Sequence, residues 1–188
     1  AVLFYGLDRF SVDLDFDLLN TEQEDYVFER VKIILEHFGT LKEVEKKRFN
    51  LFYLLSYHNK DINAQNVKVE INRRQFGSRY DVKSYLGIAM PVMVKEDMSA
   101  HKLCAMYERI GKTNRDIFDV HFLLEHDWPI NKKIIEDRMH MPFRDFLKKC
   151  VEVLEKFNDN DLLGGMGELL TEKQKDWARA KLKDDTLF

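Results

Sequence analysis

The segment Asp13-Leu14-Asp15-Phe16 carries the sharpest chemical signal in the 188-residue sequence. On an extended strand, residues two apart point to one face, so Asp13 and Asp15 present two carboxylates side by side. Adjacent carboxylates repel unless a cation lies between them. Mg2+ takes hard oxygen ligands and keeps positions for water and phosphate, so such a pair is a natural holder for the metal of a nucleoside triphosphate (NTP). The competing reading is an exposed acidic strand edge, although Asp is poor in strands and two of them need a reason. Asp17 would share their face, but the strand is expected to end near it. In Val67-Lys68-Val69-Glu70-Ile71, alternation turns Lys68, Glu70 and Asn72 one way and the aliphatic residues the other. Glu70 is thus a candidate third carboxylate, in a metal site or as the base for an attacking hydroxyl. A solvent-facing Lys/Glu strand is the plainer alternative.

A second constellation lies further along. Lys102 and Arg109 stand seven apart, two turns along one helix face, beside the apolar residues Leu103, Met106 and Ile110. Cations so placed hold phosphate oxygens and stabilise charge on leaving pyrophosphate, although that spacing is also ordinary helix surface. Arg115, Asp116 and Asp119 open the next helix, where Asp116 is either a partner of the helix dipole or an acid that orients a phosphate-binding cation. The histidines form no metal set, and there is no Walker loop, dinucleotide turn or Ser/His/Asp arrangement.

These residues need elements to hold them. Alternation over Arg9 to Phe16 predicts a strand, with Leu14 and Phe16 anchored in the core. Thr21 with Glu24 predicts a capping box and a helix to about Phe38. Residues 41–57 read as one long strand or a hairpin, 61–65 as a loop, 67–71 as a strand, and a short strand falls within 87–94. Beyond Asp97 the pattern is helical, with helices expected at about 98–111, 115–125, 131–138, 143–157 and 171–182; Asn158 to Gly167 is the most loop-like stretch. The fold class is therefore α+β, a mixed sheet with flanking helices followed by a helical lobe, with domains at 1–97 and 98–188.

Composition suits a soluble globular protein, with 45% hydrophobic and 34% charged residues. A net charge of −3 argues against a bulk nucleic-acid coat but leaves local basic clusters at Lys46-Lys47-Arg48, Arg73-Arg74 with Arg79, and Lys132-Lys133. Cys104 and Cys150 define no disulfide framework, and no apolar run is long enough to span a bilayer, so a cytoplasmic protein without membrane contact is expected.

Taken in order, Tyr5-Gly6-Leu7-Asp8-Arg9-Phe10-Ser11-Val12-Asp13-Leu14-Asp15-Phe16, then Ala100 through Arg109, then Arg115-Asp116-Ile117-Phe118-Asp119-Val120 resemble the two signatures of the AbiEii/AbiGii toxin family. The resemblance covers about residues 1 to 125, with the 67–71 strand where the family has its intervening strand. It implies a polymerase-β-like nucleotidyltransferase and the toxin of a toxin–antitoxin or phage-defence pair. It also implies Mg2+ and an NTP, an RNA acceptor such as a tRNA 3′ end, and an antitoxin partner. Carried over, Ser11, Asp13 and Asp15 form the phosphate and metal end, Lys102 contacts phosphates and Asp116 is an essential acid. Glu70, Arg109, Arg115 and Asp119 follow less directly. The family has a Gly-Gly pair and a small hydroxyl residue just before the first helix, whose amides would cradle the triphosphate. This sequence starts after that point, so the expectation is a truncated, weakly active chain. The alternatives are an impaired nucleotide- or RNA-binding module with the same fold, and an unrelated metal-dependent phosphoesterase that would not need Lys102 and Arg109.

Overall fold

A computed structural model describes residues 2–11, 13–57, 66–158 and 161–187. The chain forms two compact units, one of residues 11–75 and one that joins residues 1–10 to residues 76–188. The boundary expected at 97/98 thus differs from the division seen, and the first ten residues belong with the helical part. The expected loop at 61–65 lies outside the described residues.

The unit of residues 11–75 is a four-stranded sheet with one long helix. Its elements are β1 (Leu14–Asp17), a 3-10 turn (Thr21–Gln23), α2 (Glu24–Glu36), β2 (Gly39–Lys46), β3 (Asn50–Tyr57) and β4 (Val67–Asn72). The strand order is β1-β4-β3-β2, with β1 parallel to β4 and the other pairs antiparallel. Residues 41–57 therefore resolve into a hairpin. Leu51, Tyr53, Leu55, Val69 and Ile71 alternate onto one face and pack with Leu18 and with Leu35, Val31 and Phe28 of α2. Gly39 is required at the start of β2, because a Cβ there would lie 2.1 Å from the Ser56 carbonyl oxygen. The helix start departs from the expected capping box. Asn20, not Thr21, caps the 3-10 turn, its Oδ1 accepting from the Glu22 N–H at 3.0 Å, and α2 begins at Glu24 without a side-chain cap.

The other unit opens with α1 (Val2–Tyr5), one helical turn that ends at Gly6 in the left-handed region, φ 71°. Leu7 is buried, the Tyr5 hydroxyl donates to the Met93 carbonyl at 2.8 Å, and the Phe10 N–H donates to the Leu169 carbonyl at 2.9 Å. These bonds explain why the strand expected from Arg9 is confined to Leu14–Asp17: residues 8–10 are committed to the helical unit. A hairpin of β5 (Tyr80–Tyr85) and β6 (Ile88–Met93) follows. The sequence reading found β6 and missed β5, whose Lys83 and Ser84 blur the apolar pattern.

Helices then follow among the described residues: α3 (Lys95–Arg109), α4 (Arg115–Glu125), α5 (Lys132–Met139), α6 (Phe143–Lys156) and α7 (Glu172–Trp177). A π-helical turn (Ala178–Leu182) continues α7 into α8 (Lys183–Leu187). Thr171 and Gln174 form the expected capping box on α7. Their core unites Leu103 and Met106 of α3, Ile117 and Val120 of α4, Ile135 of α5 and Phe146 of α6. Within the stretch read as most loop-like, Leu162 and Met166 are fully buried in this core. Burial pushes the Cys104 thiol up to about 11 and the Cys150 thiol up to about 12, so both stay protonated as small core groups.

Candidate active site

In the helical unit, α3 and α4 bring the second constellation together. Asp116 and Asp119 are three residues apart on α4 and share a face. Both are buried, at 0% and 1% exposure, so each needs cationic partners. Lys102, 23% exposed, places Nζ 2.6 Å from Asp119 Oδ2 and 3.5 Å from Asp116 Oδ1. Arg109, two turns further along α3, sets Nη2 2.6 Å from Asp116 Oδ2. That contact has ion-pair distance without hydrogen-bond alignment, and the buried Arg109 Nε has no hydrogen-bond acceptor among the described residues. Arg9 closes the other end. Its Nε and Nη2 donate to the two Asp119 oxygens at 2.6 and 2.9 Å. Burial works against the Asp119 charge, but Lys102 and Arg9 outweigh it and hold the carboxyl well below the usual range.

The start of α4 is fixed by Asn114, which is buried. Its Oδ1 accepts from the Gly111 N–H at 2.9 Å and its Nδ2 donates to the Asp161 carbonyl at 2.7 Å. Gly165, at φ 75°, faces Thr113, where an added Cβ would lie 2.8 Å from Oγ1. This locked turn points Asp116 inward. Arg115, the first residue of α4, is half-buried. Sequence reasoning did not single out Arg9, Asn114 or Gly165. Arg9 alone left a signal, since it lies inside the motif that carries the family resemblance.

In the sheet unit, the register pairs Asp15 with Glu70 and Asp17 with Asn72, so all four lie on the sheet face away from α2. Asp13 precedes β1. The Lys68 ammonium lies 3.0 Å from both Asp13 Oδ2 and Glu70 Oε2, a cation between two acids that would otherwise repel. Desolvation opposes its charge, but both carboxylates raise the Lys68 pKa. Asn50 also donates to Glu70, and Asn72 Nδ2 donates to Asp17 Oδ1 at 2.9 Å. Asp17 is the last residue of β1, so the strand ends where it was expected to. Asp15 is exposed. Leu14 and Phe16 do not anchor in the core as expected; they are 49% and 53% exposed, because β1 is an edge strand. Ser11 is exposed, its hydroxyl 3.5 Å from the Asp13 carbonyl.

A divalent ion fits this donor set in kind. Asp13 and Glu70 aim hard oxygen at one cation-sized point, now filled by an ammonium. Among the described residues no three acid, His or Cys side chains gather as a ready-made cage. Part of the basic clusters is paired with acids: Lys46 with Asp25, Lys47 with Glu43 at 3.0 Å, and Arg73 with Glu24 at 2.7 Å.

Residues 1–186 match the family model for the nucleotidyl transferase AbiEii toxin of type IV toxin–antitoxin systems. The chain belongs to the AbiEii nucleotidyltransferase toxin family. It is thus a nucleotidyltransferase, with an NTP as substrate class and an antitoxin as the partner its family implies. Solved structures bear out the α+β nucleotidyltransferase fold. One, described as a candidate nucleotidyltransferase from Helicobacter pylori, has a TM-score of 0.56 at 22% identity, over 99% of this chain and 82% of that one. JHP933 from Helicobacter pylori gives 0.52 at 22% identity, over 97% and 78%. MenT4, a nucleotidyltransferase toxin from Mycobacterium tuberculosis H37Rv, gives 0.54 at 16% identity, over 95% and 68%. No curated protein matches at a significant level. Among the described residues, no helix of this AbiEii-family chain is long and apolar enough to cross a membrane.

Proposed function

We propose that this protein moves a nucleotide from an NTP onto an RNA acceptor, a tRNA 3′ end, in a Mg2+-dependent reaction. The observation that carries the reading is the Lys102 ammonium, part-exposed yet bound to the buried Asp119. A cation held so by a buried acid is oriented before substrate arrives, and that preorganisation is what stabilises phosphate charge in a transition state.

Each residue then has a part. Asp13 and Asp15 hold the metal, with Ser11 beside them, and Glu70 serves as the third carboxylate or as base for the acceptor hydroxyl. A bound Mg2+ would polarise the phosphoryl oxygens and neutralise charge as it develops. Lys102 and Arg109, whose side chains are 23% and 39% exposed, meet the phosphates. Asp116 and Asp119 orient those two cations, and Arg115 opens the helix that carries both acids. The RNA acceptor rests on the family resemblance. MenT4 supports the toxin role through its own description as a nucleotidyltransferase toxin.

Incubation of the protein with each labelled NTP, total tRNA and Mg2+ tests this. Label should enter RNA, and chelation should stop it. NTP binding without label transfer would instead make the protein a binding module. Phosphate release without RNA labelling would make it a phosphoesterase.

A further inference from the structure

We infer that Arg9 is a positioning residue that keeps Lys102 available to phosphate by neutralising Asp119. The inference rests on the reading that Lys102 meets the NTP phosphates. Arg9 does not itself face a substrate, because its side chain is 7% exposed. Its fork takes both oxygens of Asp119, at 2.6 and 2.9 Å, whereas Lys102 shares only Oδ2. Without Arg9, the Lys102 ammonium would be the close counter-ion of a fully buried carboxylate. In a low-dielectric setting such a pair is tight and electrically neutral.

The charge count sharpens this. Among the ion pairs of the described residues, Arg9, Lys102 and Arg109 are linked to Asp116 and Asp119, three cations against two carboxylates. The surplus positive charge is displayed at Lys102 and Arg109, whose side chains are 23% and 39% exposed. Losing Arg9 leaves two cations against two acids, and the attraction for an anion falls. Losing Arg9 and Asp119 together restores the surplus, as two cations against one acid. A purely structural role for Arg9 makes the opposite forecast, since the double variant removes more of the buried network.

The probe is inorganic triphosphate, titrated by calorimetry against the full chain without metal, with circular dichroism to verify folding. Arg9→Gln should weaken triphosphate binding about tenfold, the scale of one charge-assisted contact. It should raise KM for the NTP more than it lowers kcat. Arg9→Lys should recover part of the affinity, and Arg9→Gln with Asp119→Asn should bind more tightly than Arg9→Gln alone. Wild-type affinity in folded Arg9→Gln overturns the inference. So does a double variant no better than the single one; if Arg9→Gln fails to fold, a folded double variant that binds triphosphate about tenfold less tightly than the wild type overturns it instead. Lys102→Ala separates the two levels. If it leaves triphosphate affinity unchanged, the phosphate-contact reading fails. If it weakens binding while Arg9→Gln does not, only the role of Arg9 fails.

Discussion

The acid strand of the sheet unit and the ion-pair ladder of the helical unit handle charge in different ways. Along β1, Asp15 lies in the open, and Lys68 spans Asp13 and Glu70 at a half-buried edge. Along α3 and α4, Asp116 and Asp119 are sealed from water and interlocked with Arg9, Lys102 and Arg109. An exposed acid is stabilised by solvent whether or not it has a partner, and a surface pair contributes little. A buried acid has no such alternative, so its partners become structural as well as functional. Acids near solvent can exchange one cation for another, whereas the buried ladder holds its cations at fixed positions.

Substitutions can break that contrast. The largest expected effect is on activity. Asp13→Ala or Asp15→Ala should abolish RNA labelling, while the denaturation midpoint changes little, within about 0.5 kcal/mol of stability for the exposed Asp15. Retained turnover in either variant would remove the metal from this strand. The ladder should behave oppositely. Asp119→Ala leaves Arg9 and Lys102 without their shared acid and should lower stability by about 3–5 kcal/mol in urea unfolding. A loss below about 1 kcal/mol would place Asp119 with the surface pairs.

Lys102→Ala should reduce kcat/KM for the NTP through a contact worth about 1.5–3 kcal/mol, with wild-type kinetics as the contrary result. Acidity sharpens the comparison further. The Asp119 pKa is depressed in the folded state, so its stabilisation is present above the unfolded value of about 3.9 and is lost as pH falls through the folded one. Stability measured by urea from neutral pH down to about 3 should fall less steeply in Asp119→Asn than in the wild type. Equal slopes would exclude Asp119 as a source of the acid dependence. The smallest effect is expected at the sheet edge. Lys68→Met should cost about 0.2–1 kcal/mol, because Asp13 and Glu70 lose the cation between them. Mg2+ should then raise the thermal midpoint more in the variant than in the wild type, and equal shifts would dissociate Lys68 from the metal-binding acids.

The sequence by itself determined the elements whose pattern is local. The helices at 115–125 and 143–156, the alternating strand β4 and the Thr171 capping box depend on neighbours within a turn or two, and all are present. It also determined which side chains carry charge in motif spacing, hence the resemblance to the AbiEii family over about residues 1 to 125, which the family match extends to residues 1–186. Tertiary structure decided what depends on partners distant in sequence. Asp119 is 110 residues from Arg9, and no periodicity encodes that pairing. Leu14 and Phe16 alternate like core residues, but their exposure follows from β1 being an edge strand, a matter of strand order. The N-terminal residues look continuous with the strand at Asp13, yet Phe10 bonds to Leu169 and the strand begins only at Leu14. Local pattern fixes which face of an element is apolar. Which other element covers that face, and which distant charge satisfies a buried one, is set only when the whole chain has packed.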